Sequence, residues 1–258
     1  MQKHKSKFTN SESPKTLTDI QHCLRLNDLD EIGDGTHYLD FHMLGLFSFN
    51  QMTLQEAVDF WMTFCHHIDV IPDTVTIHPD KPEWKSLYEK YNVNVVLDPE
   101  CVWSDGSIGG YCTEFYKDGV EIGNIVNTLG QHIDCGFGME RLESFYTGTE
   151  TISKNQILQR TINVLIDSGV MPSNVGRGYV LRKLIRIGVN NGVEFTDHPI
   201  IEKERKRIER IRNSIPRLVS KNPDKDDKFF WETYGITREE LEEVYPLIFV
   251  TQVIWCGH

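Results

Sequence analysis

The chain has 258 residues, of which 39% are hydrophobic and 25% are charged, and its formal net charge is −11. This is the composition of an ordinary globular protein with one large or two modest domains. No apolar run is long enough to span a bilayer, and the polar start lacks the apolar core of a signal peptide. Six cysteines without a C-x-x-C pair argue against a disulfide framework or a structural zinc site. We therefore expect a cytoplasmic protein.

The charge is distributed unevenly along the chain. Residues 177–217 hold eleven lysines and arginines against five acidic residues, whereas the rest of the chain is strongly acidic. A basic helical segment on an acidic body is typical of a protein with an anionic partner. The alternative is a charged, solvated face of amphipathic helices, and composition alone does not decide between the two.

The first half of the chain alternates between strand and helix patterns. Residues 44–51 predict a strand, and 53–68 carry apolar residues at helical spacing behind a capping box of Thr53 and Glu56. Segments 74–79 and 92–98 predict strands on either side of a helical segment, 82–91. Asp118-Gly119 between two strand-like runs predicts a hairpin, so the sheet is expected to be antiparallel. Neither the Rossmann nor the P-loop fingerprint occurs.

The second half reads as helical. A helix over 153–169 is expected to end at Gly169. Segment 172–189 places four residues on one face, Leu181, Leu184, Ile185 and Gly188, with Arg182, Lys183 and Arg186 elsewhere. Segment 200–219 has an apolar stripe on a very basic helix, and the tail predicts a helix, a glycine turn and a helix capped by Thr237. We predict an α+β fold: an antiparallel sheet flanked by helices in residues 1–150, followed by a helical domain in residues 151–258.

One short segment suggests chemistry. DCGFGMERLES, residues 134–144, places two glycines and an arginine at the start of an expected helix. Gly136 and Gly138 let the backbone approach a bulky group, and Arg141 offers a planar fork of donors that suits phosphate. The segment predicts a phosphate site, and the alternative is a glycine turn before a helix with a surface arginine.

Eight segments in chain order resemble the catalytic part of alanyl-tRNA synthetases, a class II aminoacyl-tRNA synthetase family. They are FTN (8–10), HCLRLNDLDEIG (22–33), HMLGLFSF (42–49), GYCTEFY (110–116), EIGNIV (121–126), IDCGFGMERL (133–142), SGVMPSNVGRGYVLRKLIR (168–186) and ETYGITREELEE (232–243). Segments 22–33 and 133–142 resemble the second and third class II motifs. The resemblance implies activation of an amino acid by ATP and Mg²⁺, followed by transfer of the aminoacyl group to tRNA.

The resemblance also implies roles for individual residues. Arg25 would bridge the α-phosphate and the amino-acid carboxylate, Arg141 would hold the triphosphate, and Asp134 would bind the substrate ammonium group. The expected ATP contacts, besides the two arginines, are Phe41, Gly136 and Gly138. The expected amino-acid contacts are Asp134, Asn124, Gly123 and Arg25. The expected contacts to the tRNA acceptor stem are Asn174, Arg182 and Arg186. Core packing is the alternative for Phe41, and a helix N-cap is the alternative for Asn174. No metal-binding protein side chain is assigned.

Departures from the family leave the substrate open. The family's first motif precedes FTN and has no counterpart here, the second-motif loop is shorter, and a family arginine there is Thr36. A family tryptophan and phenylalanine are Gly123 and Asn127, and losing them is expected to open and polarise the pocket. Strand alternation places Gly123 and Asn124 on opposite faces, so at most one of them points into it. We therefore do not assume that alanine is the substrate, and we expect the amino acid to be alanine or another small one.

The acceptor and the catalytic competence stay open as well. The editing and carboxyl-terminal domains have no counterpart, which predicts a trimmed stand-alone paralogue. Its acceptor would be tRNA or a non-tRNA acceptor such as a carrier protein, and a homodimer or a partner subunit is compatible with the missing first motif. The alternative is a catalytically impaired synthetase-like protein that binds nucleotide, amino acid or RNA as a sensor or regulatory subunit.

Overall fold

The computed structural model describes residues 6, 8, 14–149, 152–195, 198–236 and 238–244. The chain divides into two compact units, Met1–Ile157 and Leu158–His258. The described part of the first unit is built on a β-sheet, and the described part of the second consists of helices and their connections. This is the α+β class that the sequence predicted.

The first unit is organised by an eight-stranded sheet. Its strands are β1 (Lys15–Leu24), β2 (Asp40–Phe49), β3 (Thr74–Ile77), β4 (Asn94–Leu97), β5 (Val102–Ser104), β6 (Gly109–Lys117), β7 (Val120–Thr128) and β8 (His132–Gly138). Their order is β1-β2-β8-β7-β6-β3-β4, with β5 paired to β6. The pairs are antiparallel except β3–β4. The predicted hairpin is confirmed: Asp118 and Gly119 join β6 to β7 with φ values of 49° and 80°, as a two-residue hairpin turn requires.

The helices of the first unit begin where the sequence indicated. Helix α1 (Leu54–His67) starts with both hydrogen bonds of the predicted capping box. The next helical segment, Pro82–Tyr88, is a 3₁₀-helix, because its backbone bonds join residues three apart, as from Trp84 N to Lys81 O. Helix α2 (Met139–Thr147) follows β8 directly.

Strand alternation gives the sheet two different faces. One face packs on α1 and forms the main core, in which the Trp61 ring stacks on Phe137 with centroids 3.9 Å apart. Because side chains two residues apart share a face, Gly136 and Gly138 of β8 lie on the opposite side of the sheet from Phe137. That opposite face is where the candidate site lies.

The helices after the first unit's sheet are α3 (Lys154–Asp167), α4 (Gly176–Asn190), α5 (Pro199–Lys221), α6 (Asp227–Tyr234) and α7 (Arg238–Val244). Gly169 follows α3 in the left-handed conformation with φ of 77°, as predicted. The four residues predicted to share a face of α4 are buried, but so is Arg186, which was expected elsewhere. The predicted cap Thr237 lies outside the described residues. Among the described helices, none has the length and apolar character needed to cross a membrane.

Candidate functional site

A cavity of about 90 Å³ lies on the sheet face opposite α1. It is lined by residues from β2, β7, β8, the start of α2 and the connection between β1 and β2: Arg25, Asp28, Thr36, Tyr38, Phe41, Met43, Glu121, Gly123, Asn124, Gly136, Gly138, Glu140 and Arg141. Seven of the residues expected at an ATP and amino-acid site are therefore brought together; they are Arg25, Phe41, Gly123, Asn124, Gly136, Gly138 and Arg141.

Strand register explains why these distant residues converge. Gly136 in the middle of β8 pairs with Asn124 of β7, and Gly138 pairs with Met43 of β2. Phe41 lies two residues before Met43 and so faces the same side. The two glycines leave the floor of the cavity without side chains, so the surrounding side chains define its walls.

Arg141 is held over this floor by backbone acceptors. Its Nε donates to the Thr36 carbonyl at 3.1 Å, and its Nη1 donates to the Glu121 carbonyl at 2.6 Å. The Glu121 carboxylate lies 3.6 Å from Nη1, and the arginine side chain is 23% exposed. These bonds fix the guanidinium at the cavity wall, since a planar fork has little freedom once two of its donors are engaged.

Arg25 lies at the end of β1, on the far side of the same cavity. Its backbone N–H donates to the Leu39 carbonyl at 2.8 Å, which closes the connection between β1 and β2. Its Nε is 3.0 Å from the carboxylate of buried Asp28, while the arginine side chain is 58% exposed. Arg25 therefore brings a half-exposed guanidinium to the cavity while the Asp28 carboxylate holds it at Nε.

The connection that carries Thr36 is stiffened by Asp34. Partial burial would raise the pKa of the Asp34 carboxyl, but hydrogen bonds from the backbone and side chains of Thr36 and His37 hold that pKa well below its usual range. Asp34 accepts from Thr36 N at 2.8 Å and from His37 N at 3.0 Å. The turn that supplies the carbonyl partner of Arg141 is thus fixed locally.

Asp134 lies two residues before Gly136 on β8, so its side chain is on the same face of the sheet as the cavity. It is 9% exposed, and it pairs in register with Phe47 and Val126. Burial raises the pKa of its carboxyl to about 6, because a charged carboxylate is costly away from water. Among the described residues, none donates a hydrogen bond to this carboxylate. Asp134 does not line the cavity itself, so the structure places it beneath the site rather than in its wall.

The expected opening of the pocket at Gly123 and Asn127 is not found. A Cβ on Gly123 would lie 2.3 Å from the Phe137 ring, on the face that α1 covers. Asn127 pairs with Ile133 on that same face. The prediction was wrong because side chains at both positions would point away from the cavity; Gly123 lines it with backbone atoms alone, and Phe137 fills the place beside its Cα on the other face. Asn124 points to the cavity and donates to a Glu121 carboxylate oxygen at 3.4 Å.

Sequence reasoning missed several walls of the cavity. A Cβ on Gly136 would lie 3.0 Å from the Met43 sulfur, so this flexible side chain extends over the glycine floor. Glu140, also in the lining, accepts the His42 backbone N–H at 2.9 Å and contacts its ring Nδ1 at 3.0 Å. Met43, Glu121 and Glu140 lie within the family-like segments 42–49, 121–126 and 133–142, and period-two counting from Phe41 would have found Met43.

Comparison with known proteins shows the family to which the chain belongs. The family model for tRNA synthetases class II (A) matches residues 1–159. The chain belongs to this family. It is 27% identical over 271 residues to an alanine–tRNA ligase of Chlamydia caviae, covering 74% of this chain and 31% of the relative. The enzymes of that name from Chlamydia pneumoniae and Desulfitobacterium hafniense are each 28% identical, with 74% and 72% of this chain covered. The chain spans about a third of the length of these relatives.

The helical unit contains a second cavity, of about 600 Å³, lined partly by the residues expected at a tRNA acceptor stem. Arg182 lies in it, but its Nε and Nη2 are 3.0 and 3.2 Å from the two carboxylate oxygens of buried Glu204. Arg186 donates to the Gly235 carbonyl and lies 4.0 Å from buried Glu240. Both arginines therefore hold helices together within the unit.

Asn174 is not a helix cap. The N-cap of α4 is Val175, and its side chain makes no capping bond. The Asn174 side-chain oxygen instead accepts a hydrogen bond from Arg182. The N-cap alternative is therefore wrong, and Asn174 helps to orient Arg182.

Among the described residues of this unit, α5 carries a row of exposed positive charges. Four exposed residues follow helical spacing along one face, and we call them the α5 basic stripe: Lys203, Lys206, Arg210 and Arg217. Lys206 pairs with exposed Glu202 at 3.2 Å. The sequence reasoning selected Arg182 and Arg186 of α4 because of their motif, and the structure gives both of them carboxylate partners.

Proposed function

We propose that this chain activates an amino acid with ATP in the cytoplasm, forming an aminoacyl-adenylate and releasing pyrophosphate. The observation that supports this most directly is the cavity itself. It combines two arginines, an aromatic ring and a side-chain-free glycine floor on one face of an antiparallel sheet. Membership of the class II family and similarity to alanine–tRNA ligases point the same way.

The chemistry matches what such a cavity supplies. A carboxylate oxygen of the amino acid attacks the α-phosphorus of ATP, the bond from that phosphorus to the bridging oxygen breaks, and pyrophosphate leaves. The reaction depends on positioning and on stabilising charge rather than on a strong base. In this proposal Arg25 bridges the α-phosphate and the carboxylate, and Arg141 binds the remaining phosphates. Phe41 stacks on adenine, while Gly136 and Gly138 allow close approach.

The amino-acid end of the site has a buried anion and a polar amide. Because burial raises the pKa of Asp134 only to about 6, its carboxylate is mainly charged at neutral pH and attracts an ammonium group. Asn124 supplies the amide, and Met43 lies across the glycine floor next to it. We propose alanine or another small amino acid as the substrate, because little space remains under Met43.

Mg²⁺ fits the oxygen donors of the cavity. The carboxylates of Glu121 and Glu140 line it, and carboxylate oxygens are the ligands that Mg²⁺ prefers. Bound Mg²⁺ neutralises charge on the phosphates of ATP. The protein side chains would hold the ion and the arginines would orient the phosphates.

For the aminoacyl acceptor, tRNA is the first proposal, because the relatives are named as tRNA ligases and the α5 basic stripe offers an anion-binding face. The alternative acceptor of the aminoacyl group is a carrier protein. A homodimer or a partner subunit would supply the part of a class II site that this chain does not match.

A binding role without catalysis is favoured by a different observation. Both cavity arginines already have partners: Arg25 with Asp28, and Arg141 with two carbonyls. The cavity of about 90 Å³ is also smaller than the roughly 300–1,000 Å³ of typical small-molecule pockets. ATP therefore binds only if Arg141 releases a carbonyl or if much of the nucleotide lies outside the cavity. The alternative function is a sensor or regulatory subunit that binds nucleotide, amino acid or RNA.

The decisive experiment is ATP–pyrophosphate exchange with Mg²⁺, measured for each standard amino acid and for small non-standard ones. Exchange with one amino acid supports adenylate formation and names the substrate. Nucleotide binding that depends on an amino acid, without exchange, supports the sensor alternative. A folded protein that neither exchanges nor binds ATP contradicts both, and a reaction without amino acid is the control for contaminating ATPase activity.

A further inference from the structure

A cluster of two thiols and a carboxylate lies at the β5–β6 edge of the sheet, outside the cavity. We propose that Cys101, Cys112 and Glu114 bind one thiophilic divalent cation of the Zn²⁺ type. The three ligand atoms all lie within 4.8 Å of one another, and the Cys112 sulfur is 3.8 Å from Glu114 Oε1. In a tetrahedral zinc site with Zn–S bonds of about 2.3 Å, neighbouring ligand atoms are roughly 3.5–3.8 Å apart. The present spacing is close to that geometry.

Strand pairing, rather than a local sequence motif, creates this cluster. Cys112 N donates to the Cys101 carbonyl at 2.9 Å, next to the first β5–β6 pair, so the two cysteines lie opposite each other. Glu114 is two residues beyond Cys112 on the same strand and faces the same side. The missing C-x-x-C pattern argued against zinc in the sequence, but a hairpin brings together thiols that are far apart in the chain.

Neighbouring hydroxyl groups orient the ligands. The Tyr116 hydroxyl donates to Glu114 Oε2 at 2.7 Å, which leaves Oε1 directed at the thiols. The Cys101 thiol donates to the Thr76 hydroxyl at 3.0 Å. Once the thiol loses its proton to a metal, the same hydroxyl can turn and donate to the thiolate. Hydrogen-bonded partners of this kind are typical around metal-binding carboxylates and thiolates.

The cluster concentrates groups that a cation would stabilise. Cys101 and Cys112 are 0% and 2% exposed, and Glu114 is partly buried beside them. The hydrogen bond to Cys101 and burial both raise the pKa of the Cys112 thiol. The same hydrogen bond lowers the pKa of the Cys101 thiol. Burial raises the pKa of the Glu114 carboxyl. A divalent ion would replace the thiol protons and compensate the carboxylate, so its binding releases protons.

Three protein ligands leave a fourth position for water. Glu114, the most exposed ligand, pairs in register with Asn124, whose side chain lines the cavity. The cation would fasten β5 to β6 and fix the strand that supports Asn124. The proposal concerns binding of a metal by the protein and does not depend on adenylate formation.

The test begins with the full chain, reduced with a non-thiol reagent and freed of metal. After Zn²⁺ is added and excess is removed, metal analysis should give one zinc per chain. X-ray absorption should count two sulfur ligands at about 2.3 Å and the remainder oxygen or nitrogen. Zinc bound with fewer than two sulfurs, or no retained zinc, would overturn the proposal, and this measurement needs no variant.

Variants then assign the ligands. Cys101→Ser and Cys112→Ser should each abolish the thiolate-to-Co²⁺ charge-transfer band seen after cobalt substitution, whereas Cys23→Ser and Cys256→Ser should keep it. Tyr116→Phe should weaken zinc about tenfold with the sulfur count unchanged, as loss of a hydrogen bond to a ligand does, while Tyr111→Phe should not. Retention of the band in both cysteine variants of the cluster, or its loss in Cys256→Ser, would contradict the assignment.

Discussion

Two regions of this molecule use arginine in opposite ways. At the sheet cavity, the side chain of Arg141 is 23% exposed and donates to two backbone carbonyls. In the helical unit, the side chains of Arg182 and Arg186 are 18% and 10% exposed and face buried glutamates. Arg141 donates to two neutral carbonyls and has the Glu121 carboxylate at 3.6 Å, whereas Glu204 faces Arg182 with both carboxylate oxygens in a two-pronged pair.

The difference shows that partners, not residue type, decide whether an arginine can bind an anion. A phosphate that approaches Arg182 must displace a buried carboxylate and leave it uncompensated, which is costly. A phosphate that approaches Arg141 competes mainly with backbone carbonyls, and one that approaches Arg25 competes with the Asp28 carboxylate at a side chain that is 58% exposed. Substitutions in the two regions should therefore have different effects.

The largest expected effect is on stability, at Glu204. Glu204→Ala leaves the largely buried Arg182 guanidinium without its carboxylate partner and should lower the free energy of unfolding by roughly 3–5 kcal/mol. Glu202→Ala, two residues away and exposed, is the matched control and should change stability by less than about 0.5 kcal/mol. Urea unfolding followed by circular dichroism measures both. Equal effects would mean that the α4–α5 ion pair does not hold the helical unit together.

The next effect is on catalysis, at Arg141. Arg141→Ala should lower amino-acid-dependent pyrophosphate exchange by about 10²–10³-fold, because a donor that stabilises developing charge in a dry site is worth roughly 3–4 kcal/mol. Arg141→Lys should recover little, since an ammonium group does not reproduce the fork. Arg177→Ala, an exposed arginine of the helical unit, is the control. Wild-type exchange in Arg141→Ala would remove Arg141 from the proposed chemistry.

The sequence foretold the parts of the fold that depend on local rules. Asp118-Gly119 predicted the hairpin because both positions need positive φ, and the capping box with apolar periodicity predicted α1. The resemblance then selected Arg25, Gly136 and Arg141, which the register of β2, β7 and β8 brings to one cavity. These features are encoded within a few residues of each motif.

What sequence reasoning missed depends on distant partners. The burial of Arg186 follows from Glu240 and the Gly235 carbonyl, which lie about fifty residues further along the chain. The effect of Gly123 depends on Phe137 in the neighbouring strand, and no local pattern signals that the ring fills its place. The pairing of Cys101 with Cys112 likewise requires the β5–β6 register.

A third effect is the pH dependence of stability that the buried carboxyl of Asp134 causes. The pKa of Asp134 is raised from 3.8 to about 6 by burial, so the folded state binds more protons than the unfolded state between these values. The neutral Asp134 carboxyl therefore favours the folded state fully below about pH 4. As pH rises toward 6 this stabilisation is lost, and the free energy of unfolding falls by up to about 3 kcal/mol. Asp134→Asn removes this loss, so the variant should gain stability relative to wild type between pH 4 and 7, as measured by urea unfolding. A constant difference across that range would contradict burial as the cause.

The smallest effect should be on RNA binding, where the comparison between engaged and exposed charge is tested directly. The exposed arginines of the α5 basic stripe, Arg210 and Arg217, would contact phosphate without losing a buried partner. Arg210→Ala/Arg217→Ala should weaken binding to an acceptor-stem RNA several-fold and reduce the slope of log K against log salt by up to about 2.

Arg182→Ala should leave that slope unchanged in the folded protein, because Glu204 already neutralises its charge. Lys85→Ala, exposed on the 3₁₀-helix of the first unit, controls for the loss of a general positive charge. If Arg182→Ala reduced the slope as much as the stripe variant, the Arg182–Glu204 pair would have to open when RNA binds, and the inference from exposed charge would fail.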